Sequence, residues 1–492
     1  MNLSNIESVG YILPEILLVL TIVGVFLADL VVREKNRLGE IALAGTALSL
    51  LAVTRLAGTP AGWLFSKMIV QDPFAIFFKV LFALVALVTV WMSLGSREID
   101  GPNRGEYYGL LLSSTLGMYF MASASNLLMA YLALEFVSLT SYVLTGYLRH
   151  DRRSGEAALK YLIYGGVASG TMIWGMSWIF GLTGSMDFAQ INAALVHGAP
   201  GRLALFIAVV LTLTGLGYKI AAVPFHMWVP DVYTGAPIPI TAFLSVGSKA
   251  AGFALLMRFF YPALSQLGSD GAWRFIAGVD WPQLVLVLSM VTMTLGNLSA
   301  LSQRNVKRLL AYSSIAHAGY MLMGFVVLTN EGLRAMLFYM VVYYLMNIGA
   351  FLVVMIVANA TGREDIEGYR GLAWRGGAAP ALAMAIFLFS LTGLPPLAGF
   401  VGKFYLFAAV IRQHFYLLAV VGVINSVISL YYYARVVRTM FLDLPEAGDG
   451  TVSVGLHNGA LMWGLSAATI VMGVYWAPVI AFADRSLQFF TG

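Results

Sequence analysis

The sequence predicts an all-α integral membrane protein of about 14 transmembrane helices, two of them interrupted by proline and glycine. Three observations carry this. Hydrophobic residues make up 60% of the 492 and charged residues only 11%, with a mean hydropathy of +0.82. A soluble domain is about 25% charged, so too little charge is present here to cover a water-facing surface. Runs of about 20 predominantly apolar residues, the length needed to cross a bilayer, centre near Val19, Ser49, Phe82, Ser114, Leu134, Ile173, Val210, Phe253, Met290, Gly319, Leu345, Leu388, Ile424 and Ala468. The longest polar stretches, Arg149–Lys160, Ser185–Arg202 and Thr361–Arg375, are too short to fold separately. Residues 1–492 therefore read as a single polytopic membrane domain.

Composition excludes several chemistries. The chain has no cysteine, so disulfides, thiol catalysis, iron–sulfur ligation and cysteine zinc sites are absent. Its 50 glycines suit close helix approach in lipid. Residues Met1–Gly10 hold no Lys or Arg, so the basic region of a cleavable signal is missing, and the run Tyr11–Val32 is expected to be a retained helix.

Loop charge fixes orientation. Alternate connections at 33–37, 97–104, 149–160, 304–308, 363–375 and 435–438 carry 17 Lys and Arg; the other set carries 8, at Arg55, Lys67, Arg202, Arg258, Arg274, Arg334, Arg412 and Arg485. The richer side is expected to be cytoplasmic, which puts both termini on the periplasmic side. This bias accounts for the net charge of +5 without nucleic acid.

Four lysines, Lys79, Lys219, Lys249 and Lys403, fall inside apolar runs, as does Glu135. A charge at a helix centre costs roughly 2.5–3.5 kcal/mol by insertion scales. Each alone also fits a structural ion pair or a snorkelling chain. Lys79 fits this plainer reading, ion pair or snorkelling chain, best, because Asp72 and Pro73 place it about two turns from the start of its span. Together, Glu135, Lys219, Lys249 and Lys403 lie on separate spans and form a chain of titratable groups. Desolvation favours the neutral form of a buried lysine, and a nearby carboxylate restores the charged one. A Glu135–Lys219 contact at about 4 Å would be worth about 4 kcal/mol at an effective dielectric near 20. Making and breaking such contacts is the physics of a proton relay.

The seventh span contains Gly215, Gly217 and Pro224; the twelfth contains Gly393, Pro395, Pro396, Gly399 and Gly402. Paired interruptions of this kind mark ion paths in transporters. Each carries Leu-Thr-Gly-Leu, at Leu213–Leu216 and Leu391–Leu394, and Ala130-Tyr131 is echoed by Ala311-Tyr312 at similar depth. Of the histidines, His150, His197, His414 and His457 fall in or near loops, where solvated surface is the plain reading. His226 follows the first break, and His317 lies inside the tenth span, where it is placed to bridge Lys249 and Lys403. No P-loop, dinucleotide fingerprint or haem-type histidine pairing is found, so no redox cofactor is expected in this chain.

Glu135, Lys219, Lys249 and Lys403 on the fifth, seventh, eighth and twelfth spans, with YKIAAVPFHMWVPDVYTGAP and LSQRNVKRLLAYSSIAHAGY, make a pattern that resembles the antiporter-like subunits of respiratory complex I. The resemblance covers essentially the whole chain. The chain ends soon after its fourteenth run and carries Lys403 where the M-type subunit has Glu, which favours the N type. It implies two inverted five-helix repeats, about 105–262 and 280–441, and relay roles for Lys160, Tyr312 and His317, with His226 in support. The two lysines nearest the breaks are not simply superposed: Lys219 lies five residues after Thr214, Lys403 eleven after Thr392. Also implied are a non-redox part in a proton-translocating NADH:quinone oxidoreductase of a bacterial inner membrane, and partners among other antiporter-like and small membrane subunits. NADH, flavin, iron–sulfur clusters and quinone then belong to partner subunits. The competing expectations are a cation/proton antiporter subunit and a passive scaffold.

The charge split is directly testable. The chain has no background thiol, so Arg153→Cys is expected to resist an impermeant thiol reagent added outside intact cells. Labelling from outside would reverse the orientation.

Overall fold

The computed structural model describes residues 4–198, 201–268, 272–276, 280–445 and 450–488. A short α1 (Asn5–Tyr11) leads into α2 (Leu13–Val31), α3 (Asn36–Arg55) and α4 (Pro73–Leu94). Then come α5 (Arg104–Ser123), α6 (Leu127–Thr145), α7 (Arg152–Thr183), the short α8 (Phe188–His197) and α9 (Arg202–Ile220). After a break, α10 (Val229–Gly235) precedes α11 (Ile238–Phe243), which runs through a π turn at Leu244–Ser248 into α12 (Lys249–Leu264). The second half holds α13 (Trp281–Leu301), α14 (Val306–Val326), α15 (Asn330–Thr361), α16 (Ala378–Thr392), α17 (Ala398–Arg412) and α18 (Tyr416–Phe441). The chain closes with α19 (Leu456–Val474) and α20 (Ala477–Arg485).

Each of the fourteen predicted centres falls inside a different helix. By length and apolarity, ten helices among the described residues qualify as spans, or twelve if two bent pairs each count as one. The α16–α17 pair illustrates the difference: its break leaves two helices of 15 residues, each too short to qualify.

Contacts between connections sort them onto two ends of the bundle. Arg149 binds Glu106, Asp231 joins Lys160 to Arg308, Lys307 binds Glu364, and Asn359 binds Gly95 O. These contacts gather the arginine- and lysine-rich loops on one end of the bundle, the basic face. At the other end Ser125 binds Lys67 O, Asn126 bridges Asp187, Ala272 bridges Thr329 and Arg412 binds Glu331.

Two helices stop within the bundle. α9 ends at Ile220, Ala221 takes a left-handed conformation at φ 63°, and the Val223–Pro224 peptide is cis. α16 ends at Thr392, Gly393 takes φ 93°, and the Pro395–Pro396 peptide is cis. In each case the capping N–H returns to the preceding turn, so the freed carbonyls stay partly satisfied. The shared tetrapeptide is not at equivalent places: Leu213–Leu216 lies inside α9, whereas Leu391–Leu394 straddles the end of α16. The matched features are the left-handed residue and the proline after it.

α13 and α14 approach closely through glycine. A Cβ on Gly296 would stand 2.6 Å from Ala316 N, and one on Gly319 2.6 Å from Met293 N. Backbone contact of this kind needs hydrogen at both positions, and it seats α14 deep in the bundle, 94% of its apolar window buried.

Lys79 does not snorkel. It is 1% exposed and pairs with Glu15 of α2 at 2.7 Å, while also donating to Gln71 Oε1 at 3.2 Å. A carboxylate from the first long helix reaches it, which local spacing did not reveal. Removing one partner of a buried pair costs about 3–5 kcal/mol, whereas replacing both with apolar groups is near neutral. Lys79→Met alone is therefore expected to lower the thermal midpoint in detergent, and Glu15→Leu added to it to recover most of the loss. Equal losses in both variants would show that the pair is not what holds α2.

Candidate functional site

Several buried ionisable groups follow one another through the bundle's interior. Their line starts on α6, where Glu135 is half-buried and its Oε1 is enclosed without a hydrogen-bond partner. One turn on, Ser138 Oγ accepts from Lys219 Nζ at 3.1 Å. Among the described residues Glu135 and Lys219 form no ion pair within 4 Å, so the direct contact expected from the sequence is replaced by the serine. Glu135 is still close enough for its charge to act on Lys219.

Lys219 lies along α12. A Cβ on Gly252 would stand 3.1 Å from Lys219 Cγ, so glycine makes room for the lysine one turn from Lys249. Lys249 leaves the π turn directly, 3% exposed. Its Nζ donates to Ser314 O at 2.8 Å and to Ser314 Oγ, and lies 5.9 Å from the Tyr233 ring. His226, in the break after α9, is close enough to feel the charge of Lys249, and its Nδ1 is buried without a partner.

Ser314 belongs to α14, and α14 carries the line onward. His317, one turn later, is 2% exposed; its Nδ1 lies 2.7 Å from Tyr339 OH and its Nε2 3.4 Å from Tyr433 OH. Tyr433 OH also bonds Ser313 Oγ. Another turn on, Tyr320 packs beside His317, with ring centroids 5.7 Å apart, and its ring lies 4.3 Å from Lys403 Nζ. Lys403 donates to Thr392 O at 2.9 Å, where the end of α16 leaves that carbonyl free, and to Ser426 Oγ at 3.2 Å. A cavity of ≈ 300 Å³ between α17 and α18 reaches Lys403 from the side, between Phe404 and Val427. The charges of both Lys249 and Lys403 act on His317, which places it between them as the sequence predicted.

Lys219, Lys249 and Lys403 are all buried, and each donates to a hydroxyl or carbonyl oxygen. Among the described residues none has a carboxylate within ion-pair distance, in contrast to Lys79. Hydroxyls accept and donate in turn, so the arrangement suits proton exchange better than fixed pairing.

Two predicted residues lie off the line. Lys160 is at the basic face, over a third exposed, paired with Glu156 and Asp231 at 2.7 Å each. Tyr312 is half-buried on the α13 side of α14. The groups that sequence reasoning missed are mainly hydroxyls. Ser313 and Ser314 stand in the same motif as His317, so their spacing was visible; Tyr339 and Tyr433 carry no local signal.

A second feature joins the line to the basic face. A cavity of ≈ 690 Å³ opens there beside Glu98, Lys307 and Glu364. Glu98, in the loop between α4 and α5, accepts from Ile238 N at 2.7 Å, at the start of α11 that leads to Lys249. Burial pushes its carboxyl above the usual carboxylate range, partly offset by Lys307.

Residues 124–429 match the family described as NADH:quinone oxidoreductase/Mrp antiporter, TM. NADH-quinone oxidoreductase subunit N of Anaeromyxobacter sp. (strain Fw109-5) is 48% identical, over 99% of this chain and 98% of that one. This chain belongs to the NADH-quinone oxidoreductase subunit N family. A further relative, NADH-quinone oxidoreductase subunit N 2 of Sorangium cellulosum (strain So ce56), is 47% identical over 99% of each chain. Among solved structures, a chain of respiratory complex I from Thermus thermophilus with bound aureothin superposes with a TM-score of 0.80. That chain is 31% identical, and the match covers 96% of this chain and 100% of that one. The two quoted stretches, 218–237 across the first break and 301–320 leading into α14, both fall within the matched residues.

Glu135→Gln keeps shape and removes charge. It is expected to cut proton uptake by vesicles well below the wild-type rate while the complex assembles normally. Wild-type pumping in a normally assembled variant would make Glu135 structural at most.

Proposed function

We propose that this chain is a proton-translocating membrane subunit of an NADH:quinone oxidoreductase, moving protons along Glu135, Lys219, Lys249, His317 and Lys403. The observation that carries the reading is the run of Ser314, His317 and Tyr320 along α14, in hydrogen-bond or ring contact with Lys249 at one end and Lys403 at the other, lysines that lack carboxylate partners among the described residues. In this reading the chain does no redox chemistry itself. NADH, flavin, iron–sulfur clusters and quinone belong to partner subunits, and other antiporter-like and small membrane subunits flank the bundle.

The groups act by mutual electrostatics. A proton on Lys249 raises the cost of one on His317, and a charged Lys403 does the same from the far side. Charge held at one station is thus passed on when the next becomes neutral. Ser314, Tyr339 and Tyr433 supply hydroxyls that accept on one side and donate on the other. Lys160, with Asp231 and Arg308, takes a supporting place at the surface where protons are collected, and His226 a supporting place beside Lys249. Tyr312 supports the line indirectly, by packing α14 on α13.

The basic face is the cytoplasmic side of a bacterial inner membrane, with both termini on the periplasmic side, following the charge bias. A division into inverted units at about 105–262 and 280–441, with fourteen spans in all, is part of this reading, and one capped break in each half supports the division. The second reading is a cation/proton antiporter subunit, favoured by the Mrp part of the family description. Proton uptake driven by NADH and quinone, lost on deleting this chain, separates the two.

Lys403 provides the sharper test. Arginine keeps the charge but cannot be deprotonated in a protein. Lys403→Arg is expected to lose proton uptake by at least about tenfold, as removal of an exchanging group does, measured in vesicles driven by NADH and normalised to assembled complex. Near-normal pumping would sink the claim that this lysine cycles between charged and neutral forms.

A further inference from the structure

Besides Lys79–Glu15, the relay leaves a further buried charged pair unused, and it sits on the helix that carries Lys249. Arg258 lies nine residues beyond Lys249 on α12, a rise of about 14 Å at 1.5 Å per residue. It is 2% exposed. Its guanidinium grips Asp72 with both terminal nitrogens, Nη1 to Oδ2 at 2.6 Å and Nη2 to Oδ1. Nε donates to Ala122 O of α5 at 2.8 Å, and the guanidinium stacks 4.5 Å from the Phe74 ring. Asp72 in turn caps α4 through Ala75 N at 2.8 Å. The pair therefore ties α4, α5 and α12 together.

Its position gives it a second meaning. The end of the bundle opposite the basic face holds a cavity of ≈ 780 Å³, lined among others by Ser125, Asn192, Gln266, Trp273 and Asn330. Arg258 is part of its floor. Going from this cavity along α12, the guanidinium is the first charged group met, and Lys249 follows. Every other charged group placed on the line exchanges a proton; an arginine does not. Paired with Asp72, it fills the floor of the cavity with a buried ion pair whose cation cannot hand a proton on to Lys249.

We infer that the Arg258–Asp72 pair is a proton barrier, which closes the first half of the molecule to the face opposite the basic one. Protons collected at the basic face then reach Lys249 without draining through the nearest aqueous cavity beyond it, and must go on through α14 toward Lys403. The inference rests on the relay reading, because a barrier matters only if Lys249 carries protons.

The test is passive proton leak. Whole complex is reconstituted into liposomes, a pH gradient is imposed with the membrane potential clamped by potassium and valinomycin, and its decay is followed without NADH. Arg258→Gln is expected to speed the decay several-fold relative to wild type. Arg258→Lys keeps a cation able to pair with Asp72 and to hold the helices, but lysine exchanges its proton, so its leak is also expected to rise above wild type. If Arg258→Gln fails to assemble, Arg258→Lys decides alone. An assembled Arg258→Lys complex as tight as wild type would overturn the barrier and leave the pair as a structural pin. The measurement needs no pumping, so this failure is distinct from that of the relay test: leak in Arg258→Lys beside normal pumping in Lys403→Arg would sink the cycling of Lys403 and keep the barrier beside Lys249.

Discussion

A helix can stop inside a bilayer only where its freed backbone groups meet protein or water. That constraint organises the centre of this molecule. The end of α16 leaves Thr392 O to receive Lys403, and the break after α9 sets His226 beside the helix that carries Lys249. Both interruptions stand beside intact helices, with their prolines exposed, and the intact helices supply the side chains that link them. α14 does most of this. Close glycine contact with α13 seats it deep enough for Ser313, Ser314, His317 and Tyr320 to reach both sides.

The buried lysines fall into two kinds, and their partners distinguish them. Lys79 meets Glu15 at 2.7 Å, a neutralised pair with no reason to exchange. Lys219, Lys249 and Lys403 meet hydroxyls and carbonyls instead. Burial without a neutralising partner is expensive, so at these three positions the bundle accepts an instability that the proposed relay would use. Arg258 with Asp72 makes a third case, a pair whose cation has no neutral form within reach.

Much of this was legible in the sequence, for definite reasons. Apolar run lengths located the fourteen helix centres because the bilayer fixes span length. Charge alternation sorted the loops because adjacent spans are antiparallel. Proline with glycine marked both breaks, since the backbone requires them there. His317 was placed between two lysines because depth along a helix can be counted. Rotation about the helix axis could not be counted. α15, buried over 94% of its apolar window, has no distinct polar stripe to orient it, so Tyr339 facing His317 left no trace. The same ambiguity led to Glu135 being set against Lys219, where Ser138 stands, and left Lys79 open between an ion pair and a solvent route, a choice that Glu15 decides. Spans alone were also not enough to fix their number, because a broken helix offers two short pieces.

The π turn at Leu244–Ser248 has a mechanical consequence. Such a turn stores one surplus residue in an otherwise regular screw. Should it anneal or slide past Lys249, everything on one side of it would turn by about 100°, the angle between neighbouring residues in an α-helix. That swing would carry the lysine amine away from Ser314 without any helix leaving its place. The molecule thus holds, one residue upstream of its central amine, a joint that can re-aim a side chain while the surrounding bundle stands still.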